Sequence, residues 1–232
     1  MKNFKALFFG SILIFSLSGF SNPLVFSTIE RSTATKVDMS EKVLRKAYEK
    51  LGITIRVLPL PGKRSLSTSN SGKVDGELRR KIGVSHNFPN LIRISIPVEF
   101  LDVCFLKFNG HKTIKEQDLS QYTVGIIRGG RTSQKIASSA KSSIEITKVK
   151  QLFDMIKYKR IDIAVANCRV LNEAILKTQF NEFTVQSPPI VRTPLFHYLH
   201  KKHSALVPKI TKVLAKMQDT GEIKNIISNF NE

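Results

Sequence analysis

The chain has 232 residues, enough for one domain or two lobes with real cores, and its 41% apolar content argues against a mainly disordered chain. Lysine and arginine outnumber aspartate and glutamate by 37 to 18, a formal charge of +19, and the lysines are spread along the chain instead of clustering with aromatics. That pattern weakens the case for a nucleic-acid binder, so no nucleic acid is expected, and it suits a basic surface drawn to anionic material or to an anionic ligand.

The first residues differ from the rest. Lys2 and Lys5 precede an apolar run from Ala6 to Leu17, and small residues follow at Ser18, Gly19 and Ser21. This is the order of a secretory signal peptide, too short in its apolar part to span a membrane comfortably. Residues 1–21 are assigned to it, with cleavage expected between Ser18 and Asn22. Without a cysteine there, a lipid-anchored form is not expected. The remaining chain, reduced to +17 by loss of Lys2 and Lys5, is expected to be a soluble periplasmic protein. Its two cysteines, Cys104 and Cys168, could bridge in that compartment. Both sit in apolar strand-like runs, however, and two buried thiols are the expected state. No spacing resembles a metal site, and no cofactor is expected.

Leu24-Val25-Phe26 suits a first strand. Asp38 followed by Glu41 resembles a capping box, and Met39, Val43, Ala47 and Leu51 mark one helix face before the stop at Gly52. Ile53, Ile55 and Val57 alternate as a strand. Lys63 to Ser71 predicts a short helix, and Val74 to Leu78 a strand. Leu91 to Ile96 and Val103 to Phe108 predict two further strands. After a crossing near Asn109-Gly110, a second unit begins with the strand Tyr122 to Ile127. It continues with a helix from Ser133 to Ala140, a strand from Ile144 to Val149, a helix through Leu152, Phe153 and Ile156, and the buried strand Ile161 to Ala166. A helix through Val170 to Ile175 and a short strand Phe183 to Val185 close the unit. Beyond Pro188-Pro189 come a strand, Leu195 to Leu199, and two helices, Leu206 to Met217 and Glu222 to Phe230.

Alternating strands and helices predict an α/β fold of mostly parallel sheets covered by helices. Two crossings make two lobes, 22–108 with 190–232 and 109–189, and such lobes bind ligands between them at the carboxyl ends of strands. The stretch Arg128-Gly129-Gly130-Arg131-Thr132 follows one of those strands. A glycine turn opening a helix presents unpaired N–H groups and a positive dipole end to an anion, and the two arginines strengthen that bias.

Several short motifs in order resemble the family-3 extracellular solute-binding proteins, the periplasmic amino-acid-binding type of ABC transporters. They are Pro61-Gly62-Lys63-Arg64-Ser65-Leu66, Ser71-Gly72-Lys73-Val74-Asp75-Gly76, Ile94-Ser95-Ile96-Pro97, Asp118-Leu119 with Val124-Gly125-Ile126 and Gly129, Lys159-Arg160-Ile161-Asp162, and Thr220-Gly221-Glu222-Ile223. The resemblance covers nearly the whole mature chain. It implies a periplasmic-binding-protein-like type II fold and a receptor that closes around a small solute, serving a membrane permease or a sensor protein.

The chain departs from the family where an amino acid is gripped. Gly130 stands where threonine is common, and the clamping arginine falls by position at Phe88. The ammonium-binding aspartate is Asn167. An arginine fork is hard to replace, so the usual α-amino-acid ligand is not expected. Arg64, Arg79 or Arg80 would supply a substitute cation from the first lobe. Asn167 and Arg169, at the end of a buried strand, would face the cleft from the second.

Three functions compete. The leading one is capture of a small, possibly anionic, solute for transport or sensing. A periplasmic enzyme on the same scaffold, of the cyclohexadienyl-dehydratase kind, is a second. It needs a positioned acid or base, and Glu173 is the one acidic residue expected near the cleft, though on a helix it is expected to face solvent. His86, His111, His197, His200 and His203 are scattered, and no nucleophile elbow is present. An enzyme is therefore not expected. The third is a degenerate member that binds a protein partner.

Overall fold

The computed structural model describes residues 22–29 and 38–228. The expected signal peptide, 1–21, and the last two residues of the expected C-terminal helix, 229–230, lie outside them.

In the first lobe, β1 (Leu24–Ile29) pairs in parallel with β2 (Ile55–Leu60) and β3 (Gly76–Arg80). Between β1 and β2 runs α1 (Met39–Glu49), and α2 (Gly62–Asn70) joins β2 to β3. Asp38 caps α1 by accepting the Ser40 N–H at 3.0 Å, as the sequence led us to expect. Glu41 does not complete a capping box but takes the Arg45 guanidinium one turn on, at 2.7 Å. The buried face of α1, including Met39, Val43, Leu44, Ala47 and Tyr48, meets Phe26, Leu78, Ile94 and Val98 of the sheet. Also against this face pack α7 (Val207–Asp219) and α8 (Glu222–Ser228), through Ile210, Leu214, Met217 and Ile223. Gly76 is required where β3 crosses the next strand, because a Cβ there would stand 2.1 Å from the Tyr198 carbonyl oxygen.

In the second lobe, β5 (Thr123–Ile127) lies in parallel between β6 (Ser142–Ile146) and β7 (Ile163–Asn167). One face carries α4 (Arg131–Ala137), with Ile136 and Ala137 set against Val124, Ile126, Ile163 and Val165. The other carries α5 (Val149–Lys157) and α6 (Cys168–Thr178), which bury Leu152, Phe153, Ile156, Leu171 and Ala174. Gly125 of β5 permits that close packing; a Cβ would lie 2.4 Å from Ile161 Cδ1.

The lobes are joined by two strands. β4 (Leu91–Phe108) follows the short α3 (Val84–Asn87), and β9 (Val191–His200) returns antiparallel to it, from Leu91 opposite His200 to Val103 opposite Val191. The sheet order is β2-β1-β3-β9-β4-β7-β5-β6, with β8 (Phe183–Val185) pairing β4 off that path. The strands outside this crossing pair are parallel in each lobe, and the crossing pair contributes the antiparallel contacts.

Two expectations change here. The two strands expected at Leu91 to Ile96 and Val103 to Phe108 are a single 18-residue strand. Pro97, which has no N–H to donate, is absorbed by register shifts on either side of it, from Arg93 to Pro97 and from Pro97 to Glu99. Val103–Leu106 of this strand pair with β7. Cys104 and Cys168 are not thiols: they form a disulfide, with Cα atoms 5.0 Å apart. Cys168 opens α6 instead of lying in a strand, and the β4–β7 register sets Cys104 opposite Ala166, two residues before it.

Candidate functional site

Because β1, β2 and β3 run parallel, their carboxyl ends share one edge of the first lobe, beside the N-terminus of α1. The carboxyl ends of β5, β6 and β7 share the corresponding edge of the second lobe, with the N-termini of α4 and α6. Side chains from these two edges meet at the crossing strands.

At the end of β3, Arg79 places Nε 3.0 Å from Asp38 Oδ2 and Nη1 3.3 Å from Glu99 Oε2. Glu99, on β4, is 7% exposed and also accepts the Ser40 hydroxyl at 2.6 Å. From the other lobe, in the first turn of α6, Arg169 brings Nη2 to 3.6 Å from Glu99 Oε1 and Nε to 3.7 Å from Glu173 Oε1. Two guanidinium groups and three carboxylates thus converge. Arg169 Nη1 and Glu173 Oε1 are buried without a hydrogen-bond partner among the described residues. Orphaned polar atoms of this kind are costly, and a polar group reaching this place would satisfy them. The Cys104–Cys168 disulfide fixes the start of α6 to β4, one residue from Arg169.

The remaining expected residues are distributed around this junction. Arg80 is committed elsewhere: it is almost fully buried, donates from Nε to Glu77 Oε2 at 2.8 Å, and so cannot serve as the free cation expected of it. Glu77 has 0% exposure and also accepts the Ser27 and Ser65 hydroxyls, so Arg80 is what neutralises a buried carboxylate. Arg64, at the start of α2, is exposed and makes no ion pair or hydrogen bond among the described residues. The glycine turn has the expected strand–turn–helix form, with Gly129 at φ +82° and Gly130 in the N-cap position of α4. Arg128 is exposed and 3.7 Å from Glu145, Arg131 is exposed, and Thr132 accepts the Lys81 ammonium at 2.9 Å. Lys81 follows β3, so this bond crosses from one lobe to the other. With seven residues, α4 has only a weak dipole to offer an anion.

Asn167 caps α6, its Oδ1 accepting the Val170 N–H at 3.1 Å. Arg169 stands one helical residue beyond the strand end where the sequence set it. Glu173 does not face solvent as expected; its side chain is 15% exposed because i and i+4 on α6 share a face with Arg169. Sequence reasoning missed Glu99, Asp38 and Ser40 at this place. A signal was present: an acidic residue inside the apolar run 91–108 needs a partner when buried.

Two groups with strongly shifted pKa values, His197 and Tyr48, lie in the first lobe. His197 is buried, donates from Nδ1 to the Glu77 carbonyl at 2.8 Å and accepts the Tyr48 hydroxyl at Nε2 at 2.9 Å. Burial pushes its pKa down to about 4, against the smaller opposing effect of the carbonyls of Glu77 and Leu78. Burial likewise raises the Tyr48 phenol above its ordinary range.

This arrangement, two α/β lobes joined by two antiparallel strands, recurs in solved structures. An ancestral arginine-binding protein bound to glutamine matches with TM-score 0.63 at 19% identity, covering 90% of this chain and 98% of that one. The fold is that of the type II periplasmic binding proteins. The GluR0 ligand-binding core with L-glutamate matches with TM-score 0.72 at 10% identity, over 92% of this chain and 100% of that one. A histidine kinase sensor domain with similarity to periplasmic binding proteins matches with TM-score 0.64 at 13% identity, over 89% and 95%. By sequence the chain is 29% identical over 198 residues to an uncharacterised protein of Shewanella oneidensis, covering 78% of this chain and 72% of that one. No family model matches the sequence. Among the described residues no helix is long and apolar enough to cross a membrane.

Proposed function

We propose that this chain is an exported, periplasmic solute-binding protein of the family-3 extracellular type. It captures a small ligand bearing an anionic group between its lobes, without turning it over, and hands it to a membrane permease or signals its presence to a sensor protein. The observation that carries the reading is the meeting of Arg79 and Arg169 from opposite lobes at the carboxyl ends of the strands, with Arg169 Nη1 buried and lacking an acceptor among the described residues. The remaining contacts would come from Arg64, Arg128, Gly129, Gly130, Arg131, Thr132 and Asn167 on the surrounding edges. The amino-terminal pattern of 1–21 supports export. Amino acids held by the structural neighbours belong to those proteins; here the substitutions at Phe88, Gly130 and Asn167 argue for a different small acid.

A panel of small acids, sugars and amino acids screened by thermal shift tests the reading, alongside native mass spectrometry of the protein purified from the envelope. An acid that raises the melting temperature, and loses that effect in Arg169→Gln, is the expected result. No stabilising solute and no copurifying ligand would remove the reading's support.

One observation favours a second reading. Glu173 is turned into the junction beside Arg169 with Oε1 lacking a hydrogen-bond partner, and a positioned acid or base is what a dehydratase needs. Turnover of a prephenate-like acid, lost in Glu173→Gln, would establish it.

A further inference from the structure

The two oxygens of Glu99 are divided between the lobes. Oε2 accepts the Ser40 hydroxyl at 2.6 Å and faces Arg79 Nη1 at 3.3 Å, both on the first lobe. Oε1 faces Arg169 Nη2 at 3.6 Å, on the second. The side chain stands on β4 between Val98, packed in the core of the first lobe, and Val103, packed in the core of the second. Glu99 is therefore attached to a strand that runs through both lobes, and its carboxylate faces groups of each.

We propose that Ser40, Arg79 and Arg169 form a carboxylate-binding site bridging the two lobes, and that Glu99 fills it in cis. The site is specific for a single carboxylate: a hydroxyl donor and one guanidinium on one oxygen, a second guanidinium on the other. Two guanidinium groups here face three carboxylates, of which Glu99 is the one shared by both arginines. Asp38 takes the Nε side of Arg79 and Glu173 that of Arg169, so the donors aimed at Glu99 are Nη1 of Arg79 and Nη2 of Arg169. A tethered group has a high effective concentration, so Glu99 holds Arg79 Nη1 and Arg169 Nη2 against free acids, leaves Arg169 Nη1 to a solute, and draws the lobes together with no solute present. The disulfide holds the Arg169 end of the site to the second-lobe part of β4. Lys81 donating to Thr132 is a second, exposed contact of the same closed arrangement.

The site shares Arg79 and Arg169, and motion of the lobes about β4 and β9, with the proposed function, but the test needs no physiological solute. Glu99→Ala empties the site, and Glu99→Gln keeps its shape while removing its charge. Small-angle scattering at low salt is expected to give a larger radius of gyration for both variants than for the native chain. Acetate, the probe matched to the missing group, is expected to restore the native radius and raise the melting temperature of Glu99→Ala, and to leave the native chain and Glu99→Gln unchanged. Circular dichroism verifies that the variants are folded; if Glu99→Ala is not, Glu99→Gln carries the scattering arm, and a radius equal to the native one overturns the proposal. An enlarged radius in Glu99→Ala that acetate does not reverse overturns the assignment of a carboxylate site. Failure of every solute to bind the native chain would overturn the proposed function and leave this result untouched.

Discussion

His197 shows how a single side chain ties stability to pH. Both ring nitrogens are satisfied in the neutral form, Nδ1 donating to Glu77 and Nε2 accepting from Tyr48. A second ring proton would meet the Tyr48 oxygen in a fully buried place. The folded pKa is lowered, so between pH 6.5 and about 4 the unfolded chain binds the proton and the folded chain does not. Stability contributed by this group is present above pH 6.5 and lost as pH falls through that window, by about 3 kcal/mol for a shift from 6.5 to about 4. Asp75 acts in the same direction. Burial raises its pKa, but hydrogen bonds from Lys202, the Val25 N–H and His203 outweigh that and lower it. Urea titrations at pH 7 and pH 4.5 are expected to show the loss, and His197→Gln to flatten it; equal slopes in both proteins would remove His197 as its cause. The arginines separate by burial in the same way. Arg80→Ala strands the buried Glu77 carboxylate and is expected to cost about 3–5 kcal/mol, while Arg64→Ala, on an exposed helix start, should stay within about 0.5 kcal/mol.

Among the elements, β4 is where local reading and structure part. Its two apolar halves were legible, but a proline between them reads as a break, and continuity came from β9 running alongside with shifted register. Glu99 fell in the supposed gap and was overlooked for that reason. The start of α6 carries similar weight. Cys168 and Asn167 hold it from two sides, by a disulfide to β4 and by a cap. Loss of a bridge closing a loop of 64 residues, as in Cys104→Ser with Cys168→Ser, is expected to destabilise by about 2–4 kcal/mol. Reduction of the native chain should match it, and a melting temperature indifferent to reductant would contradict the prediction. At the glycine turn, Gly129 holds φ +82° with open space around its Cα, so the cost of Gly129→Ala is backbone strain alone, about 1–2 kcal/mol by chemical denaturation.

For the whole molecule, charge and architecture act together. A chain of formal charge +19 repels itself, and ion pairs such as Lys46–Glu49, Lys150–Asp154 and Lys157–Glu182 are exposed and weak. Raising sodium chloride from about 0.01 to 0.15 M, which shortens the screening length from roughly 30 to 8 Å, is expected to raise the melting temperature. A fall would mean that attractive pairs outweigh the repulsion. The two lobes have separate hydrophobic cores joined by β4 and β9, so relative motion about these strands is the motion the fold permits at least cost.

The sequence by itself determined the α/β class and most of the alternation of strands and helices. Each of these follows from local periodicity, caps and glycine turns, which neighbouring residues impose on one another. It also brought Arg79 and Arg169 forward as cations of opposite lobes. Only the tertiary structure decided that Arg80 neutralises Glu77, that Cys104 and Cys168 are bonded, and that Glu99 stands between the two arginines. Those pairings join residues 3 to 70 positions apart across β3, β4 and α6, and they depend on register and burial. Charge at one position does not reveal its partner; the fold brings the partners within reach.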